Sequence, residues 1–169
     1  MAVNDNITLN RIFDIFKQLA GCHKQLADFS VGDVATRGHK KDNNELTPEP
    51  SEMKFPYLWI DPTGVVYDIG NSKQIVAKNY LINIFVADKH QDNSFNDEEI
   101  LSDTEGILSD LIQWILTNPE LRSFTTNVTT LTPQPARHAT RDEVFGWEVV
   151  FTIRVPYKFC YSNLPIETK

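Results

Sequence analysis

The sequence predicts an α+β fold, in which a mostly antiparallel, twisted sheet of about four to six strands packs two main helices on one face. Residues 146–157, GWEVVFTIRVPY, alternate between apolar and polar side chains with the period of a half-buried strand. Residues 97–117 carry the clearest helical period in the chain. The order α-β-β-β-α-β-β groups strands between helices, which favours an antiparallel sheet with its helices on one side.

The closing strand defines two faces of the predicted sheet. Its dry face carries Trp147, Val149, Phe151, Ile153 and Val155. Its wet face carries Glu148, Thr152 and Arg154, with Val150 as the single apolar interruption. Ten residues of strand span about 33 Å, so the sheet is long for a chain of this size. We expect the second helix to lie across the dry face.

Length and composition bound the class of protein. The chain has 169 residues, 41% of them hydrophobic and 23% charged, which is typical of one folded domain. We assign residues 1–157 to that domain and residues 158–169 to a C-terminal tail. The net charge of −7 argues against a protein that coats nucleic acid by charge. The sequence shows no membrane-length apolar run and no signal peptide, so we expect synthesis in the cytosol and no membrane association.

The first helix is predicted over residues 7–27, capped by Asn6 or Thr8, and Gly21 favours a bend or an early end. A short strand is expected over residues 29–36. Residues 37–53, RGHKKDNNELTPEPSEM, then form a long polar loop without periodicity. Loops of this length are either solvated and mobile or functional. The functional alternative is an arm that orders against a neighbouring subunit.

The middle of the chain predicts strands separated by turns. Residues 54–61, KFPYLWID, form a short strand that Pro56 confines to an edge or an early position. Residues 61–64, DPTG, predict a turn, and residues 65–69 a further short strand. Residues 75–87 are apolar on both faces, which indicates a central strand. After the second helix we expect a strand over residues 124–132 and a loop over residues 133–142.

The chain carries no catalytic or metal-binding signature. Its four histidines lie in separate segments, its two cysteines are far apart, and it has no glycine-rich phosphate loop. The sequence therefore predicts no enzyme activity and no cofactor or metal. The second helix concentrates carboxylates, among them Asp97, Glu98, Asp103 and Glu105. A solvated helix face is the simpler interpretation, and a negatively lined surface that repels a passing polyanion is the alternative.

These patterns together resemble the tail terminator and tail-completion proteins of bacteriophages. The resemblance covers roughly residues 7–157 and follows the order of the first helix, the polar loop, FPYLWID at 55–61, NYLINIFVAD at 79–88, the aliphatic helix 100–116 and GWEVVFTIRVPY. It implies a non-enzymatic virion protein whose copies form a ring that joins the portal side of the head to the tail. The polar loop 37–53 departs from the resemblance.

The resemblance also implies partners and surfaces. A homo-oligomeric ring of six or twelve copies would contact portal-side connector and tail proteins in the neck of the virion after assembly in the host cytoplasm. DNA would pass nearby without sequence-specific binding, bordered by Asp97, Glu98, Asp103 and Glu105. Candidate subunit-interface residues are Arg37, Lys40, Lys41, Glu45, Glu148 and Arg154. A small α+β binding module and a carboxylate-dependent enzyme remain the alternatives.

The arm interpretation predicts that deleting part of residues 37–53 leaves the fold standing and weakens assembly. Thermal melting and native mass spectrometry of the deletion variant measure the two effects separately. Collapse of the fold on deletion would refute the arm interpretation.

Overall fold

A computed structural model describes residues 7–32, 54–89, 97–125, 128–138 and 144–157. These residues form one sheet and two helices. The elements in chain order are α1 (Leu9–Cys22), β1 (Asp28–Val31), β2 (Tyr57–Ile69), β3 (Ile75–Lys89), α2 (Asp97–Thr117), β4 (Gln134–His138) and β5 (Val144–Pro156). The strand order across the sheet is β1-β2-β3-β5-β4. The β1–β2 pair is parallel and the other pairs are antiparallel. The predicted α+β class and element order are confirmed.

The pairing of β3 with β5 forms the centre of the sheet. Its register runs without interruption from Ala77 opposite Pro156 to Lys89 opposite Val144. Residues 82–87 of β3 are buried on both faces, as the sequence predicted for a central strand. On β5, the predicted dry positions Val149, Phe151 and Ile153 are buried. The alternation read from the sequence therefore corresponds to the two real faces of the sheet.

Both helices pack on one face of the sheet, which we call the inner face. A single apolar core joins residues of α1 and α2 to residues of β2, β3 and β5. Helix α2 has the predicted bounds and contributes Ile107, Leu108 and Leu111 to this core. The indole Nε1 of Trp147 donates a 2.9 Å hydrogen bond to the carbonyl of Leu101, which ties β5 to α2.

Helix α1 is shorter than the sequence predicted. Thr8 caps it, because its Oγ1 accepts a 3.2 Å hydrogen bond from the amide of Arg11. The helix ends at Cys22, directly after Gly21, because His23 takes an extended conformation while its amide bonds back to the last turn. The predicted end at residue 27 was therefore wrong, and the weakening at glycine was the better indicator. The alternative cap, Asn6, lies outside the described residues.

The largest error in the sequence interpretation concerns β2. The predicted turn at residues 61–64 is instead the interior of one long strand, with an irregular register between Pro62 and Gly64. A bulge absorbs the proline and the glycine without ending the strand, because one extra residue restores the pairing with β3. Pro62 is tolerated here because this part of β2 has no neighbour on its other edge among the described residues.

The other predicted strand boundaries have different outcomes. Strand β1 runs from Asp28 to Val31, and residues 33–36 of the predicted strand lie outside the described residues. Of the predicted strand at 124–132, the described residues form no strand, and the edge strand β4 lies inside the segment that was predicted as a loop. Phe124 instead turns back onto the sheet, and its carbonyl accepts a 3.0 Å hydrogen bond from the amide of Arg154. Threonine alternation alone did not distinguish a strand from an extended coil.

The packing predicts opposite effects for two neighbouring substitutions on β5. Phe151 is fully buried, whereas the side chain of Val150 is 53% exposed. Phe151→Asp should cost more than about 4 kcal/mol of unfolding free energy, because it buries an unpaired charge in the core. Val150→Asp should cost under about 1 kcal/mol, as expected for a strand position facing water. Urea unfolding measures both, and similar costs for the two variants would contradict the assignment of faces.

Candidate functional site on the outer face of the sheet

The face opposite the helices, which we call the outer face, has a buried aromatic part. Tyr57, Trp59, Phe85, Ala87 and Val144 form a second buried cluster there, with Phe55 and Ala136 packed against it. The rings of Trp59 and Phe85 stack with their centroids 5.3 Å apart. These aromatic side chains are core groups.

A row of polar side chains crosses the outer face beside the aromatic cluster. The Nδ2 of Asn83 donates a 3.3 Å hydrogen bond to the Oε2 of Glu148. Asp61 lies opposite Asn83 in the β2–β3 register, and both side chains are buried. Glu148, a candidate interface residue, is thus placed on the predicted face. Its carboxylate already has a partner within the chain.

A second polar row crosses the same three strands farther along. The Nε of Arg154 lies 3.0 Å from the Oδ2 of Asp68, and Asp68 Oδ1 accepts a 2.8 Å hydrogen bond from Asn79. The Arg154 and Asp68 side chains are 39% and 38% exposed. The ion pair of Arg154 with Asp68 therefore links β5 to β2 across β3. The structure brings Glu148 and Arg154 to one face, and it gives both of them roles inside the subunit.

The exposed apolar surface lies at the far end of the β2–β3 hairpin, in residues 61–80, which we call the distal hairpin. In the described part of the chain, the exposed large apolar side chains are Val65, Val66, Tyr67, Ile69, Val76 and Val150. All but Val150 belong to the distal hairpin. Its turn is closed by hydrogen bonds from the Gly70 amide to the Gln74 carbonyl and from the Lys73 amide to the Gly70 carbonyl. Lys73 adopts a positive φ of 58° there.

The distal hairpin also carries an open sheet edge. Strand β1 pairs with β2 only from Tyr57 to Ile60. Beyond Ile60, no strand in the described residues pairs with the edge of β2 that faces away from β3. An exposed apolar edge strand is a template for pairing with another chain. Sequence reasoning missed this feature, because the DPTG segment was interpreted as a turn. The run VVYDI at 65–69 was the available signal.

The acidic candidates on α2 are surface groups. Asp97, Glu98, Asp103 and Glu105 are all exposed, in agreement with the predicted solvated helix face. No group of three metal-ligating side chains occurs among the residues that the structure describes. The remaining interface candidates Arg37, Lys40, Lys41 and Glu45 lie outside those residues.

Asp88, at the end of β3, has a shifted ionisation. Burial raises the pKa of its carboxyl above the ordinary value of 3.8, and the nearby carboxylate of Asp103 raises it further. A hydrogen bond from the amide of Lys89 opposes these two effects. The electrostatic repulsion between Asp88 and Asp103 places two acids near each other where α2 meets the sheet.

Comparison of the sequence with protein-family models and with curated proteins finds no match to either. No helix in the described ranges is both long and apolar enough to cross a membrane.

Asp88 gives a test of the electrostatics at this junction. Because its pKa is raised by folding, the ionised carboxylate opposes folding above the ordinary pKa, and this penalty grows as pH rises through the folded-state pKa. Asp88→Asn should therefore raise the melting temperature at pH 7 and lose that advantage below about pH 3.8. Asp103→Asn serves as the comparison and should give a smaller gain, because burial is the larger cause. A lower melting temperature of Asp88→Asn at pH 7 would contradict this account.

Proposed function

We propose that this chain is a non-enzymatic structural subunit that acts by self-association, and that its assembled form is a ring of six or twelve copies. In this proposal the ring belongs to the neck of a phage particle and joins the portal side of the head to the tail. The resemblance in element order and strand patterns supports the viral setting. The distal hairpin supports the self-association.

The observation that carries the proposal is the clustering of exposed apolar side chains on the distal hairpin. Val66, Tyr67 and Ile69 are 51%, 49% and 60% exposed within one short segment. Single exposed apolar side chains are ordinary on protein surfaces, but several of them along one strand edge mark an interaction surface. Val66 and Tyr67 point to opposite faces of the sheet, so the exposed apolar side chains flank this edge on both faces. The edge of β2 with which no strand of the described residues pairs lies along the same segment, and such an edge presents backbone amides and carbonyls to a partner strand. A closed ring needs contacts of this kind between unlike patches on neighbouring copies.

The charge distribution supports the passage of DNA without binding. The chain carries a net charge of −7, and Asp97, Glu98, Asp103 and Glu105 are exposed on α2. An acidic lining repels phosphate groups and so disfavours retention of DNA in a channel. We therefore propose that the acidic surface of α2 borders the passage.

The alternative functions make different use of the same features. A monomeric binding module would use the open edge of β2 to take up an extended peptide from an unrelated partner. A carboxylate-dependent enzyme would need paired acids in a desolvated site. The acidic candidates on α2 are exposed instead, which favours the structural role over the enzyme.

Val66→Asp tests whether the hairpin drives assembly. The side chain is half exposed, so the fold should survive, while a charge placed in the contact should raise the protein concentration needed for assembly at least about tenfold, or about 1.4 kcal/mol. Native mass spectrometry and negative-stain images, with and without the portal protein of the same genome, would measure the assembled fraction.

Ser102→Asp is the matched control, because it adds the same charge at an exposed position on α2, away from the hairpin. It should assemble like the wild-type chain. A wild-type chain that stays monomeric at every concentration and binds no portal-side protein would overturn the proposed function. If Val66→Asp and Ser102→Asp assemble equally well, the distal hairpin is not the surface of self-association.

A further inference from the structure

We infer that two free copies of this chain pair along the edge of β2 that faces away from β3. The two β2 strands run antiparallel and are related by a two-fold axis at Val66. The two sheets would then form one continuous sheet across the pair. The inference rests on the proposed function in one respect, since both require self-association through the distal hairpin. It adds the partner strand, the register and the symmetry.

The backbone directions along β2 can be read from two hydrogen bonds. The carbonyl of Ile60 accepts a 2.7 Å hydrogen bond from the amide of Gly32, so the polar groups of Ile60 point away from β3. Residues of an antiparallel pair alternate between pointing toward the partner and away from it. Ile60 lies opposite Ile84, so the β2 residues opposite Ile82, Tyr80 and Lys78 also point outward.

Val65 and Tyr67 are the β2 residues opposite Tyr80 and Lys78. Their amides and carbonyls therefore face the open edge, whereas those of Val66 face β3. The 3.3 Å hydrogen bond from Asn79 Nδ2 to the Val66 carbonyl agrees with this direction. The bulge before Gly64 determines which residues of the distal part of β2 point toward β3 and which point toward the edge.

Two outward-facing residues separated by one inward-facing residue form a self-complementary edge. With Val66 of one copy opposite Val66 of the second, Val65 pairs with Tyr67 of the second copy, and Tyr67 pairs with its Val65. Each of these pairs can exchange two backbone hydrogen bonds in ordinary antiparallel geometry. The apolar side chains of residues 65–67, exposed in the single chain, would cover one another.

The side chains tolerate this register. Asp68 falls opposite Gly64 of the second copy, where no side chain competes for space and no like charge opposes it. Its carboxylate is already engaged by Arg154 and Asn79. Pro62, which has no amide to donate, falls beside Gly70 at the end of the paired segment. An acidic chain can thus meet its own copy here without placing acid against acid.

The length of the open edge fits the same register. Strand β1 occupies the edge of β2 as far as Ile60, and the hairpin turn begins at Gly70. Between them, no strand in the described part of the chain pairs with this edge over residues 62–69, and the two-fold register fills it with nearly the same segment of the second copy. The β1 strand of the second copy would begin beyond the hairpin turn of the first.

The pair has a consequence for assembly. A two-fold contact joins like patches, whereas a closed ring joins unlike ones. If both use the distal hairpin, the pair is a storage form of the free subunit, which protects the apolar edge from non-specific aggregation and must open before the ring forms.

Disulfide trapping tests the register. In a Cys22→Ser, Cys160→Ser background, Val66→Cys should form a disulfide-linked dimer under mild oxidation with diamide, because residues at a two-fold non-hydrogen-bonded site lie about 4.5 Å apart at Cα. Val150→Cys is the matched control, because Val150 has similar exposure on the same face of the sheet but lies on β5, away from the edge. We expect Val66→Cys to crosslink at least about tenfold faster, as fits a high effective concentration. Equal rates would overturn the inference.

Mixed crosslinking fixes the register independently. Val65→Cys and Tyr67→Cys should crosslink slowly alone and rapidly when mixed, because only the mixture brings residue 65 of one copy opposite residue 67 of the other. Fast crosslinking of either variant alone would contradict the axis at Val66. Melting curves of the reduced variants check that the fold is intact.

The locked dimer separates this inference from the proposed function. Oxidised Val66→Cys should fail to form rings with the portal protein, and reduction should restore them. Rings that form without any preferential crosslinking at residue 66 would overturn the pair and leave the proposed function standing. If residue 66 crosslinks rapidly in a chain that forms no rings in the reduced state, the pair is supported and the proposed function is overturned.

Discussion

The pairing of β3 with β5 is the constraint on which the rest of the structure depends. The pairing is long, uninterrupted and central, and its inner-face side chains share one apolar core with both helices. Burial of apolar side chains such as Phe151 and Ile84 at this junction supplies the contacts that stabilise the domain. Strands β2 and β4 pair directly with β3 and β5, and β1 joins the sheet through β2.

The same pairing creates the exposed end of the sheet. Because β2 follows β3 along its whole length, the hairpin extends past the end of β1, and no strand of the described residues pairs with that edge of β2 beyond Ile60. Near this end Asp68 binds both Arg154 and Asn79, which links three strands and holds the hairpin in the plane of the sheet. An apolar edge that no described strand pairs with is therefore a direct product of the strand lengths.

The sequence predicted the parts of the fold that one segment determines by itself. Helix α2 and the two faces of β5 follow from local periodicity, and both were correct. The continuity of β2 depends on β3, which restores the pairing after Pro62, and no local pattern showed that. Glu148 and Arg154 were placed on the correct face, but their partners Asn83 and Asp68 come from distant strands. The distal hairpin was missed because its edge is open only in relation to where β1 ends.

Amide hydrogen exchange of the wild-type chain across a range of concentrations tests the central claim, that the distal hairpin is the surface of self-association. The account predicts that the amides of Val65 and Tyr67 exchange quickly in the dilute monomer and become protected as the particle mass increases. An increase in mass that leaves the exchange of these two amides unchanged would contradict it.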